Sequence, residues 1–101
     1  MTEKTLNKLS NLVKKRIKEM PKDSYVSKLA SKGKVKIANK LGEESVETIS
    51  AFLAQERTEV IEESADLIFH LIILLEFSGA SIDDVIRTLQ KRMKSDWYKK
   101  L

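Results

Sequence analysis

Carboxylates spaced three residues apart are the feature of this sequence that most suggests chemistry. Glu44 and Glu47 lie in one run with helical character, and Glu63 and Asp66 lie in the next. Residues three apart in a helix share a face, so each pair presents two carboxylates to one side. If the two helices pair antiparallel through their short connection, the four carboxylates converge.

Four converging carboxylates repel one another and favour protonation unless a cation is present. A hard divalent ion suits such a group, and Mg²⁺ is preferred where a substrate carries phosphates. The second pair also precedes the apolar segment LIFHLIILL, which places it near the core. A solvated helical face is the alternative, because a single E-x-x-E spacing arises often by chance. Glu44 can also pair backwards with Lys40.

Two further groups lie near this cluster in the sequence. His70, the only histidine, follows Asp66 by one turn and is either a core residue or a contact to substrate or to Asp66. Lysines surround Gly33, where backbone amides can approach an anion at the start of a helix. A solubilising basic face is the other interpretation of these lysines. They are Lys28, Lys32, Lys34, Lys36 and Lys40.

The elements that position these residues are predicted to be helices throughout. Apolar residues recur at helical spacing, and the predicted helices cover about 6–20, 25–29, 34–55, 59–77 and 82–94. Ser24, Thr58 and Ser81 are the predicted N-caps. One proline and three glycines disfavour a turn-rich β fold. The sequence therefore predicts an all-α bundle of four or five helices that forms a single domain over residues 1–101.

The segment LIFHLIILL also bears on the oligomeric state. It has one polar residue in nine, and a helix that is apolar on every side must be surrounded on every side. A homodimer surrounds it by packing equivalent helices of two chains into one bundle, and a monomer with a central helix is the alternative. The apolar side of the third helix is predicted to comprise Ala38, Leu41, Ser45, Ile49 and Phe52, and that of the last helix Val85, Ile86, Leu89 and Met93.

Composition restricts the classes of function. The chain has no cysteine, which excludes disulfides, thiolate chemistry and cysteine–zinc sites. The sequence has no signal-peptide pattern and no apolar stretch long enough to span a bilayer, so a cytoplasmic location without a membrane partner is expected. The net charge of +4 favours a polyanionic partner. The acidic centre argues against nucleic acid, because carboxylates there repel phosphates unless a metal is bound.

Long stretches of the chain resemble the phosphoribosyl-ATP pyrophosphatases of histidine biosynthesis, which belong to the MazG-like all-α nucleotide pyrophosphatase superfamily. The superfamily pattern E-E-x-x-E followed by E-x-x-D corresponds to Glu43-Glu44-x-x-Glu47 and Glu63-x-x-Asp66. The resemblance extends from about residue 6 to residue 93. Narrower family marks are Ser24-Tyr25, Lys28-Leu29, Lys32-Gly33, Lys36, Lys40, Gly42, Asp66-Leu67 and His70-Leu71.

The resemblance implies a MazG-like bundle completed by homodimerisation. It also implies Mg²⁺-dependent hydrolysis of the α–β phosphoanhydride of phosphoribosyl-ATP to phosphoribosyl-AMP and pyrophosphate, the second step of histidine biosynthesis. In that scheme Glu43 orients or deprotonates the attacking water. The implied Mg²⁺ ligands are Glu44, Glu47, Glu63 and Asp66, and the implied substrate contacts are Lys32, Gly33, Lys36, Lys40 and His70.

Two other functions stay open at this point. A general nucleoside triphosphate pyrophosphatase would use the same fold and the same metal site, and only its substrate preference would differ. A basic helical module that binds nucleic acid or a protein helix belongs to another class. Such a module would bind without a metal, and its affinity would fall steeply with salt.

Overall fold

The structure is a computed structural model that describes residues 2–101, with side chains from Lys4 onward. The part of the chain that it describes contains no strand, which confirms the predicted all-α fold. Its helices are α1 (Thr2–Glu19), α2 (Tyr25–Ser31), α3 (Lys34–Leu53), α4 (Arg57–Phe77) and α5 (Ile82–Met93), followed by a 3₁₀ segment, Asp96–Lys100.

The ends of the first helices follow from their backbone chemistry. α1 ends at Glu19, and Met20 takes a positive φ of 52° directly before Pro21. Proline disfavours helical backbone in the residue that precedes it, which explains why α1 stops there. Gly33 has a φ of 89° at the start of α3, in a region that glycine enters without the steric cost of a side chain.

The predicted helix caps are confirmed at two of three positions. The Ser24 hydroxyl accepts a hydrogen bond from a backbone N–H of α2, and Ser81 forms a capping box with Asp84 at the start of α5. The third prediction is wrong, because α4 begins at Arg57, before Thr58, and no side chain caps its first turn. The chain turns through Gln55 at a φ of 60°, so the helix starts earlier than the cap signal indicates.

α4 lies at the centre of the bundle. It pairs with α3 along most of its length, α1 packs over it, and α2 bridges α1 and α3. Ile72 and Ile73 of α4 are completely buried, as the apolar segment predicts. At the contact between α1 and α4, the buried Ser10 hydroxyl donates a hydrogen bond of 2.6 Å to Glu76 and so satisfies its polar group. The buried core residues are Val13, Val26, Leu29, Ile37, Ile72, Ile73 and Ile82.

Parts of two predicted inner faces are exposed in the single chain. Val85 and Ile86 pack against the core, but Leu89 and Met93 are exposed, because α5 contacts only α1 and the 3₁₀ segment to a substantial extent. On α3, Ala38, Ile49 and Phe52 of the predicted apolar side are exposed, Phe52 at 68%, and the buried apolar residues are instead Ile37 and Ala51. Among the described residues no single helix is long and apolar enough to cross a membrane, and α4 with α5 passes that test only as a pair bent by 103°.

Candidate metal centre

The α3–α4 hairpin brings the predicted acidic pairs to one level. Glu44 lies nine residues before the end of α3 at Leu53, and Asp66 lies nine residues after the start of α4 at Arg57. At the helical rise of 1.5 Å per residue, both positions lie about 14 Å from the connection. The short connection and the antiparallel pairing therefore place these carboxylates side by side, as predicted.

Three of the four predicted ligands form a compact group. Glu44, Glu63 and Asp66 each offer a carboxylate oxygen, and these oxygens all lie within 4.8 Å of one another. Glu44 is buried at 7% exposure, Glu63 is half-buried and Asp66 is exposed. The group therefore opens to solvent on its Asp66 side and is closed on its Glu44 side.

Two oxygens of this group are buried without a hydrogen-bond partner among the described residues, Oε2 of Glu44 and Oε2 of Glu63. A buried oxygen without a donor is uncommon in folded proteins and costs free energy. Both carboxylates would be available to hold a cation between the helices. Carboxylate oxygens that converge from two helices are also the donor set that Mg²⁺ prefers. The residues present therefore fit a hard divalent ion.

The electrostatics of the group point in the same direction. Burial, followed by the nearby Glu47 carboxylate, raises the pKa of Glu44 above its ordinary value. The pKa of Glu63 is also raised, first because its protonated form can hydrogen-bond to Glu47 and then because the side chain is partly desolvated. Glu47 itself is exposed and lies outside the compact group, at the side of Glu63. In both residues burial and neighbouring carboxylates thus disfavour the charged form, a cost that a bound cation would offset.

Lys40 is the cation that lies closest to this group in the described structure. Its ammonium lies 3.3 Å from Oε2 of Glu43 and 3.9 Å from Oε1 of Glu44. The backward pairing of Lys40 with Glu44 that the sequence allows is thus present. Glu43, the predicted water-activating residue, is more than half exposed and is held beside the acidic group by this lysine.

His70 lies behind the acidic group with both ring nitrogens engaged. Its Nδ1 lies 2.8 Å from the backbone carbonyl oxygen of Asp66, and its Nε2 lies 2.7 Å from the Tyr25 hydroxyl. The sequence placed His70 near Asp66, but the contact is to the backbone and not to the carboxylate. A direct contact between His70 and substrate would require one of these hydrogen bonds to break.

The remaining predicted substrate residues lie at the start of α3. Lys32 and Lys36 are exposed, and neither forms an ion pair within residues 2–101. Gly33 occupies the position before the first turn of α3, where no side-chain cap is present. Lys40 is the predicted lysine that lies against the carboxylates, whereas Lys36 lies one turn closer to the start of α3 and Lys32 lies before α3, at the end of α2.

Sequence reasoning missed Tyr25 as a residue near this centre. Its hydroxyl reaches His70 across 45 positions of sequence, and its ring contacts Phe69 and His70. No spacing rule predicts a contact of that separation. The only signal was that Ser24-Tyr25 is one of the family marks.

Comparison with known proteins identifies the family of this chain, which the geometry of the site alone does not. A family model described as phosphoribosyl-ATP pyrophosphohydrolase matches residues 6–93. The chain belongs to this family of hydrolases. Residues 6–93 contain the whole acidic group, Lys40, Tyr25 and His70, so the candidate metal centre lies entirely within the part of the chain that the family model matches.

Individual relatives agree with this membership. A protein of Metallosphaera sedula named phosphoribosyl-ATP pyrophosphatase is 47% identical over 89 residues, which cover 88% of this chain and 96% of that protein. A Saccharolobus islandicus protein of the same name is 43% identical over 94 residues, covering 93% of this chain and all of that protein. A Thermotoga maritima protein named histidine biosynthesis bifunctional protein HisIE is 46% identical over 86 residues, which are 85% of this chain and 44% of that protein.

Proposed function

We propose that this chain hydrolyses phosphoribosyl-ATP to phosphoribosyl-AMP and pyrophosphate in a Mg²⁺-dependent reaction of histidine biosynthesis. The observation that carries the proposal is the group formed by Glu44, Glu63 and Asp66, with two buried oxygens that lack a partner, in a chain of this family. Hydrolysis adds water across the α–β phosphoanhydride, so one bond to phosphorus forms and one breaks, and pyrophosphate leaves.

The proposed roles follow the positions of the carboxylates. Glu44, Glu63 and Asp66, together with Glu47 beside Glu63, would hold the metal between α3 and α4. A bound Mg²⁺ would supply positive charge that neutralises the substrate phosphates and the charge that develops on the leaving pyrophosphate. Glu43 is exposed to solvent next to this group, where it can orient the attacking water and accept its proton.

The basic residues are proposed to complement the phosphates that the metal does not contact. Lys40 lies next to Glu43 and Glu44, Lys36 lies one turn before it on α3, and Lys32 and Gly33 lie in the connection that precedes α3. Phosphate bound at Lys40 would draw the ammonium away from Glu43. The same contact would therefore release that carboxylate to act on water.

The activity assay compares substrates, metal and variants. Pyrophosphate release is measured with phosphoribosyl-ATP and with a panel of nucleoside triphosphates, in Mg²⁺ and in EDTA. We expect fast release from phosphoribosyl-ATP only with Mg²⁺, and its loss in Glu47→Gln. Comparable turnover of ordinary triphosphates would instead assign a general triphosphate pyrophosphatase. Release from none of the substrates would overturn the enzymatic proposal and favour the basic binding module.

We also propose that a second copy of the chain covers the exposed side of the α3–α4 hairpin and that the 101 residues form one domain of this homodimer. The chain has a mass of 11.6 kDa and exposes 7570 Å², about 1,700 Å² more than expected for a compact monomer of that mass. Its radius of gyration is 15.2 Å against about 13 Å for a compact domain of this length.

The exposed apolar residues of the hairpin indicate where that second copy packs. An aliphatic or aromatic side chain is exposed on nearly every turn of the second half of α3, and α4 adds three more. The excess surface exceeds the about 800 Å² that each partner buries in a standard interface. The exposed large apolar residues of the hairpin are Val35, Val46, Ile49, Phe52, Leu53, Ile61, Ile68 and Phe77.

Sedimentation equilibrium tests the homodimer. We expect the wild-type chain to sediment at twice its monomer mass, and Phe52→Asp to shift it towards monomer. Leu101→Ser, which removes an exposed leucine at the chain end and away from the hairpin, is the matched control and should leave the mass unchanged. A wild-type monomer at micromolar concentration would contradict the proposal. The cytoplasmic location and the lack of a nucleic-acid partner stay predictions from the sequence.

A further inference from the structure

Two apolar surfaces at opposite ends of the α3–α4 hairpin are left exposed. The first, which we call the hairpin tip, comprises Phe52, Leu53 and Ile61, and each of these side chains is more than half exposed. The second, which we call the outer face of α5, comprises Leu89 and Met93, which are 44% and 53% exposed. Single exposed apolar residues are common, but grouped ones indicate a surface that contacts a partner. Both surfaces are therefore candidates for such a contact.

The outer face of α5 has no covering element in the single chain. Within residues 2–101, α5 has extensive contacts only with α1 and the 3₁₀ segment. Ile82, Val85 and Ile86 pack against the core, so the apolar stripe of α5 is covered over its first half and exposed at Leu89 and Met93. An open groove of about 640 Å³ follows this exposed half and is lined by Ile86, Leu89, Gln90, Met93 and Lys94.

The two surfaces carry opposite charges beside their apolar residues. Glu56, in the connection between α3 and α4, and Glu62, on α4, form the acidic edge of the tip. Arg92 and Lys94, at the end of α5, form the basic edge of its outer face. None of these four side chains forms an ion pair within residues 4–101, although the Arg92 guanidinium lies over the Trp97 ring. The two surfaces are therefore complementary in charge.

A single chain cannot bring these two surfaces together. The tip precedes α4 and α5 follows it, and the 21 residues of α4 span about 30 Å at 1.5 Å per residue. In a dimer with two-fold symmetry, a contact between two different surfaces forms twice. If the two hairpins pack antiparallel, the tip of each lies beside the end of the partner's α4, where the partner's α5 begins. The second copy therefore supplies each surface with its complement.

A parallel arrangement of the hairpins would bring like charges together. The two tips would then meet with their acidic edges, and the two α5 helices with their basic edges, and such contacts are unfavourable. The exposed area also agrees with an extended interface. Its excess of about 1,700 Å² is roughly twice the about 800 Å² that one partner buries in a standard interface. An interface that includes α5 accounts for more of this excess than the hairpin alone.

We propose that the two chains of the homodimer pack antiparallel, with α5 of each chain covering the hairpin tip of the other. The apolar residues of the tip lie in the groove of the partner's α5, and the acidic edge of the tip faces the basic edge of that helix. The proposal rests on the homodimer proposed above. It does not depend on the proposed hydrolysis.

Engineered cysteines test the orientation of the chains, because the natural chain has no cysteine. Leu53→Cys at the tip and Met93→Cys on α5 each replace an exposed residue, so both variants should fold. The two variants are mixed in denaturant, refolded together and treated with a short bismaleimide, and mass spectrometry identifies the cross-linked pairs. We expect pairs that contain one chain of each variant, and little cross-linking in either variant alone. Cross-linking of Leu53→Cys with itself would instead show the parallel arrangement.

Charge reversal tests the contact between the two edges. Sedimentation equilibrium measures the dimer dissociation constant of Glu56→Lys/Glu62→Lys and of Arg92→Glu/Lys94→Glu. Each pair of substitutions should raise this constant at least about 10-fold, because like charges then face each other at two symmetric contacts. Combining all four in one chain should return the constant to within about 3-fold of the wild type, since the reversed edges attract again. Additive weakening in the combined variant would overturn the proposed contact.

Matched controls come from the opposite sides of the same helices. Glu59 lies two residues before Ile61, and Lys91 lies two residues after Leu89, and residues two apart in a helix point in nearly opposite directions. Glu59→Lys and Lys91→Glu should therefore change the dissociation constant by less than about 2-fold.

The outcomes separate this arrangement from the other proposals. A wild type that sediments as a monomer would overturn the homodimer and this arrangement with it. A wild-type dimer whose tips cross-link to each other, or whose mixed cysteine variants do not cross-link, would overturn the antiparallel arrangement alone. Neither result bears on the hydrolysis of phosphoribosyl-ATP, which the activity assay tests by itself.

Discussion

Two acidic regions of this chain use the same residue types in opposite ways. Between α3 and α4, Glu44 and Glu63 have buried oxygens without partners, and the pKa of each is raised. At the start of α5, Asp84 accepts hydrogen bonds from the Ser81 backbone N–H at 3.0 Å and from Arg87 at 2.6 Å. These bonds, that of the Ser81 N–H first, lower the pKa of Asp84.

The difference lies in what surrounds the carboxylates. Asp83 and Asp84 are followed within one turn by Arg87, which pairs with both, and a capping box satisfies the helix start. Their charge is compensated inside the chain, so they have a structural role and need no ligand. The carboxylates between α3 and α4 have one lysine on one side, and the chain supplies no second cation to the described group. Both regions are acidic, but only in the candidate metal centre does the negative charge exceed the positive charge that neighbouring side chains supply.

The largest expected effect is on catalytic activity, which should depend on the carboxylates between α3 and α4 and not on those at the start of α5. Glu63→Gln removes one charge from the group and is expected to lower kcat/KM by at least about 100-fold, since loss of an outer partner of a metal ligand alone costs about 10–100-fold. Pyrophosphate release measures it. Glu62→Gln, at the neighbouring position on α4, and Asp84→Asn should stay within about 2-fold of the wild type, given that surface substitutions away from a site have small effects. Equal losses in Glu63→Gln and Asp84→Asn would remove the distinction.

A divalent metal ion should stabilise the chain by binding the carboxylates between α3 and α4 and not those at the start of α5. Mg²⁺ or Mn²⁺ at 100 times its dissociation constant should add about 2.7 kcal/mol to the free energy of unfolding, because the ion binds the folded state alone. Thermal denaturation with and without the metal measures this gain. Asp84→Asn should keep the gain and Glu63→Gln should lose it. A gain that survives in Glu63→Gln would place the ion elsewhere.

Without metal, replacing a carboxylate by the corresponding amide should change the stability of the chain in opposite directions in the two regions. Glu44→Gln removes a like charge and supplies an amide donor near Glu63, so it should stabilise the metal-free chain, by roughly 1 kcal/mol given that a buried oxygen without a partner costs about 1–3 kcal/mol. Denaturant unfolding in EDTA measures this change. Asp84→Asn should destabilise under the same conditions. If both variants destabilise, Glu44 is compensated in solution and the contrast fails.

The smallest expected effect is on the pH dependence of thermal stability, through Asp84 at the start of α5. The folded pKa of Asp84 lies below its unfolded value, so its carboxylate stabilises the fold above the unfolded pKa. That contribution disappears as the pH falls through the folded pKa. Asp84→Asn should therefore lower Tm at neutral pH, and its Tm should approach that of the wild type in acid. Asp23→Asn, in the turn before α2, is the control. A Tm difference that persists unchanged in acid would exclude the carboxylate as its cause.

Most of the fold follows from local patterns in the sequence. Helical periodicity identified the five helices, and Ser24 and Ser81 marked two starts, because these signals lie within a few residues of what they predict. α4 started before its predicted cap, and apolar residues of two predicted inner faces were exposed, among them Phe52 on α3 and Leu89 on α5. These errors arose because the turn before α4 and the extent of the contacts between helices depend on neighbouring elements, which local patterns do not contain.

Only the parts of the candidate site that follow from helical spacing could be predicted from the sequence. The spacing of the Glu44–Glu47 and Glu63–Asp66 pairs, with a short connection, predicted four converging carboxylates, and all but Glu47 form the compact group. The contact of Tyr25 with His70 was not predictable, since it joins α2 to α4 across the bundle. Burial also separated Glu44 from the more exposed Glu43 and Glu47, a difference that residue type and spacing do not contain.

Calorimetric titration of Mn²⁺ into the metal-free chain tests most directly whether the uncompensated carboxylates are a metal centre. The wild type and Asp84→Asn are titrated beside Glu63→Gln under identical conditions. We predict saturable binding with equal affinity in the first two and a loss of at least about 10-fold in Glu63→Gln. Equal affinity in all three, or a loss confined to Asp84→Asn, would contradict the metal centre between α3 and α4.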